Sequence, residues 1–230
     1  MKKIIAVGIV ALMAMAFAAA QQTTGIALGV RGIFSVSAGT TYEKDFRSLW
    51  KTTITQAYGS SAYVGDVSSK SRGGGGFTFF AKYPLGKRLG AQVEVGYVYN
   101  VTGFKFEFSK NYDGSAYHVK KDISYSTFNV PLLLTFDIIQ TSHFLLTPAV
   151  GLQVAFPIGK TGDWAELPIN TRVLVGAVVG ASMTIKFGQK VGMVIDGRYN
   201  IGFNALKADG VKIFTPRGLQ ISGGLQIMFR

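Results

Sequence analysis

Large apolar side chains alternate with small or polar ones along much of this chain, and the segment from Leu219 to Phe229 shows the pattern well. Successive side chains of a β-strand point to opposite faces, so residues two apart share a face. The segment therefore predicts a strand that separates an apolar environment from a polar one. Its apolar face consists of Leu219, Ile221, Leu225, Ile227 and Phe229, and its other face of Gln220, Ser222, Gly224 and Gln226.

Seven further segments alternate in the same way, which gives eight predicted strands. Most of them approach the roughly 9–11 residues that a tilted strand needs to cross a bilayer. The predicted strands are residues 26–37, 76–83, 89–101, 127–137, 144–156, 173–187, 191–203 and 219–229.

The third predicted strand changes phase at its end. The apolar residues of 89–101 are odd-numbered, whereas Phe104, Phe106 and Phe108 are even-numbered. A β-bulge near Thr102 and Gly103 would produce this shift. An extension of the hairpin beyond the membrane would produce it as well.

The connections between the predicted strands alternate between long and short. Long polar loops on one side and tight turns on the other are typical of an outer-membrane barrel, with the turns in the periplasm. An even strand count then leaves both termini on the periplasmic side. We therefore predict an all-β fold, an eight-stranded antiparallel up-and-down transmembrane β-barrel. The long connections are residues 38–72, 109–121, 157–170 and 204–214, and the short ones are 84–88, 138–143 and 188–190.

A soluble eight-stranded barrel of lipocalin type also alternates, but its apolar face points inward. Such a barrel needs charged residues on the water-facing side of every strand. The polar face of the fifth predicted strand carries no charge, and that of the sixth carries only Lys186. The location of the charges therefore favours the membrane barrel.

The amino terminus has the features of a secretory signal peptide. Lys2 and Lys3 precede an apolar stretch from Ile4 to Phe17, and small residues at 18–20 form a cleavage site. We predict a signal peptide at 1–20 and a barrel domain at 21–230. The chain contains no cysteine, which excludes disulfides and cysteine-ligated metals.

The chain is basic, with a net charge of +12 that becomes +10 after removal of Lys2 and Lys3 (12 − 2). This charge favours outer-membrane lipid and lipopolysaccharide-type glycolipid as partners, although solvated basic loops would account for it equally well. No nucleic-acid-binding motif accompanies the charge, so nucleic acid is not an expected partner.

Ionisable residues on the predicted inward faces form the main candidate site, because charges inside a narrow barrel must pair or reach water. One hypothesis is a salt-bridged plug that fills the interior, and the other is the lining of a narrow polar pore. These residues are Arg31, Lys82, Glu94, Asp137, Lys186, Asp196 and Arg198.

Catalysis is not expected from this sequence. His118 lies in a predicted long loop and His143 in a predicted periplasmic turn, on opposite sides of the membrane. A Ser-His-acid arrangement needs its groups within hydrogen-bond reach. We therefore predict a protein that is not an enzyme, with no cofactor and no metal.

The predicted external loops contain two tryptophans among charged residues, Trp50 in the first loop and Trp164 in the third. Aromatic residues at a membrane rim commonly anchor at lipid headgroups. We expect Trp50 and Trp164 to take part in loop interactions, with headgroups or with an extracellular ligand or host surface.

The chain resembles the bacterial outer-membrane β-barrel proteins, of the eight-stranded OmpA, OmpX or OmpW type or of the PorT-like type. The resemblance covers residues 23–230 and rests on the terminal strand, on Asn129 to Thr135 (NVPLLLT) and on Gly197 to Asn200 (GRYN). It implies that the barrel-assembly machinery recognises the terminal strand through Phe229, which Arg230 follows here.

These patterns together predict an outer-membrane protein with both termini in the periplasm. We expect a structural or interaction role through its extracellular loops, around a plugged or very narrow polar lumen. A small-solute channel is the alternative. The PorT-like resemblance implies a further one, an accessory component of protein export.

Overall fold

The structure is a computed structural model that describes residues 25–38, 40–58, 63–65, 68–109, 116–162, 169–208 and 210–229. The predicted signal peptide and Trp164 lie outside these residues. The elements in chain order are β1 (Ala27–Ser37), β2 (Thr41–Tyr42), α1 (Lys44–Tyr58), β3 (Tyr63–Val64), β4 (Ser68–Lys70), β5 (Gly73–Pro84), β6 (Leu89–Ser109), β7 (Ala116–Phe136), β8 (Ile139–Gln140), β9 (Phe144–Gly162), β10 (Leu174–Phe187), β11 (Val191–Gly202), β12 (Leu206–Ala208), β13 (Val211–Thr215) and β14 (Arg217–Met228).

Eight of these strands close into an antiparallel barrel in the order β1-β5-β6-β7-β9-β10-β11-β14. The first and last strands complete it, with Ala27 opposite Met228 and Ser37 opposite Gly218. Closure leaves no sheet edge with unpaired backbone groups, which is the condition for placing a sheet in hydrocarbon. This arrangement confirms the predicted fold class.

The outward face of the barrel is apolar, and the inward face is small or polar. Val150, Leu152 and Leu225 are 55%, 57% and 56% exposed, whereas Arg31 and Glu94 are 2% and 3% exposed. This is the reverse of a soluble protein, which buries its large apolar side chains. The outward face therefore excludes the lipocalin-type alternative, because such a face needs lipid rather than water around it.

Substitution of Val150 by Lys should lower the free energy of unfolding by about 2–4 kcal/mol, because a charge in the middle of the apolar band loses its hydration. Val150 lies opposite Leu134 and Val179, at the centre of the outward face. Denaturant titration of the protein refolded in phospholipid vesicles measures the change. Ile158→Lys, an outward residue near the outer end of β9, is the matched control and should cost about 1 kcal/mol or less. Equal losses in the two variants would contradict the assignment of the band.

The bulge proposed near Thr102 and Gly103 is wrong: the β6–β7 hairpin extends past these residues, while its extension beyond the membrane stays a prediction. The pairing of β6 with β7 runs without a register shift from Leu89 opposite Phe136 to Ser109 opposite Ala116. Phe104 and Phe108 lie on the same inward face as Glu94, and both are buried. The inward face changes from polar to aromatic because this part of the hairpin packs against protein rather than against the lumen.

Two of the predicted long connections contain secondary structure among the described residues. Residues 38–72 contain α1 and three short strands, and β12 and β13 form a small sheet with β2. Tyr42, Phe46 and Trp50 are spaced four residues apart, which is a helical period. This signal did not enter the sequence-based prediction, because the strand alternation of the neighbouring segments is stronger. Asp45 in the first turn of α1 favours the helix start through the helix dipole.

These elements pack over one end of the barrel and form a structure that we call the outer cap. The described part of the chain contains no helix that is both long enough and apolar enough to cross a bilayer. The buried core of the outer cap consists of Tyr42, Phe46, Phe104, Phe108, Ile123, Tyr125, Ala155, Leu174, Leu206, Ala208, Ile213 and Phe214.

Aromatic contacts hold α1 onto the cap core. The ring centroids of Phe46 lie 5.4 Å from those of both Tyr42 and Phe104. Trp50, which we expect to take part in loop interactions, lies on α1 against the cap core, with its ring centroid 5.7 Å from that of Phe104. The hydroxyl of Tyr42 donates to the carbonyl oxygen of Gly103 at 2.7 Å, and burial raises the pKa of Tyr42 to about 12.

Candidate functional site

Two arginines and two carboxylates form a closed ring of alternating charge across the lumen. The guanidinium Nη2 of Arg31 lies 2.6 Å from Oε1 of Glu94, and Nη2 of Arg198 lies 2.7 Å from the same oxygen. Asp196 completes the ring, with Oδ2 3.1 Å from Nη1 of Arg31 and Oδ1 2.6 Å from Nε of Arg198. The group, which we call the ion ring, has a net charge of zero and joins β1, β6 and β11.

The ion ring is almost completely desolvated, with side-chain exposures of 2–5%. Buried charges are tolerated when they are paired and hydrogen-bonded. Two neighbours add to the pairing: the amide nitrogen of Gln92 donates to Glu94, and the guanidinium of Arg31 lies 4.6 Å from the ring centroid of Phe80. Neither residue was singled out from sequence, although Gln92 shares the inward face of β6 with Glu94.

A small residue makes room for this ring. A Cβ at Gly180 would lie 2.7 Å from Cγ of Arg198, so a larger residue there would collide with the arginine stem. Gly180 therefore permits the close approach of the Gly197 backbone as well as the placement of the Arg198 stem.

The remaining predicted lumen charges lie apart from the ion ring. Nζ of Lys82 is 2.7 Å from Oδ1 of Asp137, and the hydroxyl of Thr147 donates to the same oxygen at 2.7 Å. Lys186 donates instead to the carbonyl oxygen of Thr141 at 2.9 Å. The predicted set thus divides into the ion ring, a separate pair and one lysine, because Lys82, Asp137 and Lys186 lie near the strand ends joined by short turns.

A chamber lies between the ion ring and the outer cap. The centre of a water-sized molecule can occupy about 90 Å³ of this space. Tyr125 and Phe214 belong both to its lining and to the cap core. The inward polar side chains that line it are uncharged: Ser35, Ser37, Thr40, Asn100, Thr102, Thr127, Asn129, Gln153, Asn200 and Gln220.

The cap exposes basic side chains on its outside. Lys44 and Lys51 are exposed on α1, and Arg172, Lys207 and Lys212 are exposed around a groove beside the β12–β13 hairpin. These residues account for part of the basic charge that the sequence pattern places in the predicted loops.

The two histidines lie in unrelated settings. Nδ1 of His118 is 3.2 Å from Oε1 of Glu107 on the exposed β6–β7 extension, and the hydrogen bond from Lys105 holds the pKa of Glu107 below its usual value. Nδ1 of His143 lies 2.8 Å from Oγ of Ser142 in a turn at the other end of the barrel. Within the described ranges, no three His, Asp or Glu side chains come together as metal ligands would.

Solved structures share this architecture. The outer membrane protein OprG from Pseudomonas aeruginosa aligns over 90% of this chain and 97% of its own, at 8% identity and a TM-score of 0.53. The chain therefore has the fold of an eight-stranded outer-membrane β-barrel. Weaker matches are Neisserial surface protein A (89% and 99% covered, 13% identity, TM-score 0.45) and Ail of Yersinia pestis (90% and 100%, 12%, 0.41).

Comparison with known sequences adds nothing to this assignment. No family model matches the chain, and no curated protein matches it. The barrel fold consequently rests on strand closure, on the outward apolar face and on the structural likeness to OprG.

The two ends of the barrel chain meet on the side of the short turns. The backbone nitrogen of Phe229 donates to the carbonyl oxygen of Ile26 at 2.7 Å, and the Phe229 side chain is 50% exposed on the outward face. A terminal aromatic exposed in this way is accessible to an assembly factor. Recognition of Phe229 by the barrel-assembly machinery stays a prediction.

Proposed function

We propose that this protein is a non-enzymatic outer-membrane barrel whose lumen is closed and whose outer cap presents an interaction surface. The ion ring carries this proposal. It spans the lumen with paired, desolvated side chains, and an eight-stranded barrel leaves an interior that side chains can fill. A permeating solute would have to separate buried ion pairs, which is costly in a low-dielectric interior.

The cap supports the interaction role. Its buried aromatic core makes it a folded unit, and its exposed lysines and arginines favour anionic partners. The phosphate groups of a lipopolysaccharide-type glycolipid have this chemistry and lie at the same membrane face in the proposed orientation, with both termini in the periplasm.

Planar-bilayer recording of refolded protein tests the closed lumen. We expect no stable conductance steps from the unmodified protein, because the ion ring and the cap both obstruct the path. Stable steps that change size in Arg198→Gln, and not in the control Lys105→Gln on the β6–β7 extension, would instead establish a small-solute channel through the ion ring. Heat-modifiable migration on a gel verifies that each variant has refolded before recording.

A further inference from the structure

The chamber above the ion ring contains buried polar atoms without a partner. Oδ1 of Asn129 and Oδ1 of Asn200 are buried and accept no hydrogen bond within the described residues, and both side chains line the chamber. Asn129 is 6% exposed. Leaving such an acceptor unsatisfied costs about 1–3 kcal/mol, so a bound molecule that donates to it is favoured.

Oγ1 of Thr102 in the same lining is also buried without a partner, whereas several other polar neighbours are paired. The amide nitrogen of Asn100 donates to the hydroxyl of Thr127 at 2.9 Å, and that hydroxyl donates to the carbonyl oxygen of Val98 at 3.3 Å. The backbone nitrogen of Arg72 donates to the hydroxyl of Ser37 at 2.9 Å. Part of the lining is therefore satisfied internally, while Asn129 on β7 and Asn200 on β11 offer acceptors from two different walls.

The electrostatics of the chamber favour an uncharged ligand. Its inward polar side chains are hydroxyls and amides, and the charges of the ion ring below are already paired with one another. Arg217 also lines the chamber, but its side chain is exposed at the outer end of β14. An ion entering this space would lose hydration without gaining a counter-charge.

Two aromatic side chains also line the chamber. Tyr125 and Phe214 contribute to the lining where the chamber meets the cap. Hydroxyl groups both donate and accept hydrogen bonds, so they match amide and hydroxyl linings, and the ring faces offer apolar contact. We propose that the chamber binds a small, uncharged, hydroxyl-rich solute of monosaccharide size. The solute would donate to Asn129 and Asn200, and the ion ring below would hold it there.

Nuclear magnetic resonance of the refolded protein, labelled with ¹⁵N-asparagine in detergent micelles, tests this proposal. The probes are glucose, galactose and mannose, with glucose 6-phosphate as the charged counterpart. We expect saturable shifts of the side-chain amides of Asn129 and Asn200, with a dissociation constant of about 1 mM for at least one hexose. The phosphorylated sugar should bind at least tenfold more weakly.

Asn129→Leu and Asn200→Leu remove the acceptors and keep the number and branching of the side-chain heavy atoms, and each should weaken binding at least tenfold. Gln226→Leu is the matched control, because Gln226 is a buried lumen amide on β14 outside the chamber lining, and binding should stay within twofold. If a leucine variant does not refold, Asn129→Ala and the shift map of the unmodified protein decide the question.

Three results would overturn the chamber assignment: no saturable shift with any hexose, equal binding of glucose 6-phosphate, or equal weakening by Gln226→Leu. The first would mean that ordered water alone satisfies the two amides. Binding and conductance are separate measurements, so hexose binding without conductance supports the chamber and the closed lumen together. Hexose binding with conductance would retain the chamber and reject the closed lumen.

Discussion

Replacing Glu94 by Gln should lower the free energy of unfolding of the barrel by about 3–5 kcal/mol, the usual cost of leaving a buried charge without its partner. Glu94 neutralises Arg31 and Arg198 at once, through contacts of 2.6 and 2.7 Å. The glutamine has nearly the same shape but no charge, so the ion ring would keep two arginines and a single carboxylate. Urea titration of protein refolded in lipid vesicles, followed by the folded and unfolded gel bands, measures the loss.

Two comparisons make this prediction specific. Glu107→Gln removes a carboxylate that pairs with Lys105 in an exposed part of the β6–β7 extension, and it should leave the unfolding midpoint unchanged. The double variant of Glu94→Gln with Arg198→Gln restores a neutral group, because Arg31 and Asp196 remain paired. It should recover part of the lost stability. A single variant as stable as the unmodified protein would show that the charges are hydrated rather than buried.

Truncation of Phe46 to Ala should release α1 from the outer cap while the barrel stays folded. Phe46 is fully buried against Tyr42 and Phe104, and removing a buried phenylalanine costs about 3–5 kcal/mol. That cost corresponds to a rise of roughly a hundredfold or more in the open population of the cap. Trypsin cleavage at Lys51, which is exposed on α1, should accelerate accordingly.

Leu49→Ala provides the control on the same helix, because Leu49 is 44% exposed and its truncation creates no comparable cavity. Both variants should retain heat-modifiable migration, which reports on the barrel. If Phe46→Ala instead abolished that migration, the cap and the barrel would form one cooperative unit. Unchanged cleavage in Phe46→Ala would mean that the aromatic contacts do not hold the helix.

Strand prediction succeeded where the signal was local. A repeat of two residues distinguishes the outward Leu225 from the inward Gln226 without any knowledge of the partner strands. The same logic placed Arg31, Glu94, Asp196 and Arg198 on inward faces before their partners were known. The predicted lengths of β6 and β7 were too short. The inward residues change from polar to aromatic at Phe104, and in the sequence this looks as if the apolar face had switched sides.

The sequence indicates α1 and the outer cap only weakly. The spacing of Tyr42, Phe46 and Trp50 is helical, but a short helical period within a polar connection has little weight beside eight alternating segments. The packing of Trp50 on Phe104 could not be predicted, because Phe104 is distant in the chain and contributes to the cap only once the hairpin extends.

The sequence by itself determined the strands, their two faces and the separation of charge from the apolar band, because these follow from side-chain periodicity within each strand. Only the tertiary structure decided which charges meet. Arg31 and Glu94 are 63 residues apart, and their contact depends on strand order and register after the barrel closes. Closure likewise created the chamber, since its unpartnered amides lie on strands that never pair with each other. The local sequence pattern determines the face of the strand on which a side chain lies, and packing across the lumen determines which residues it contacts.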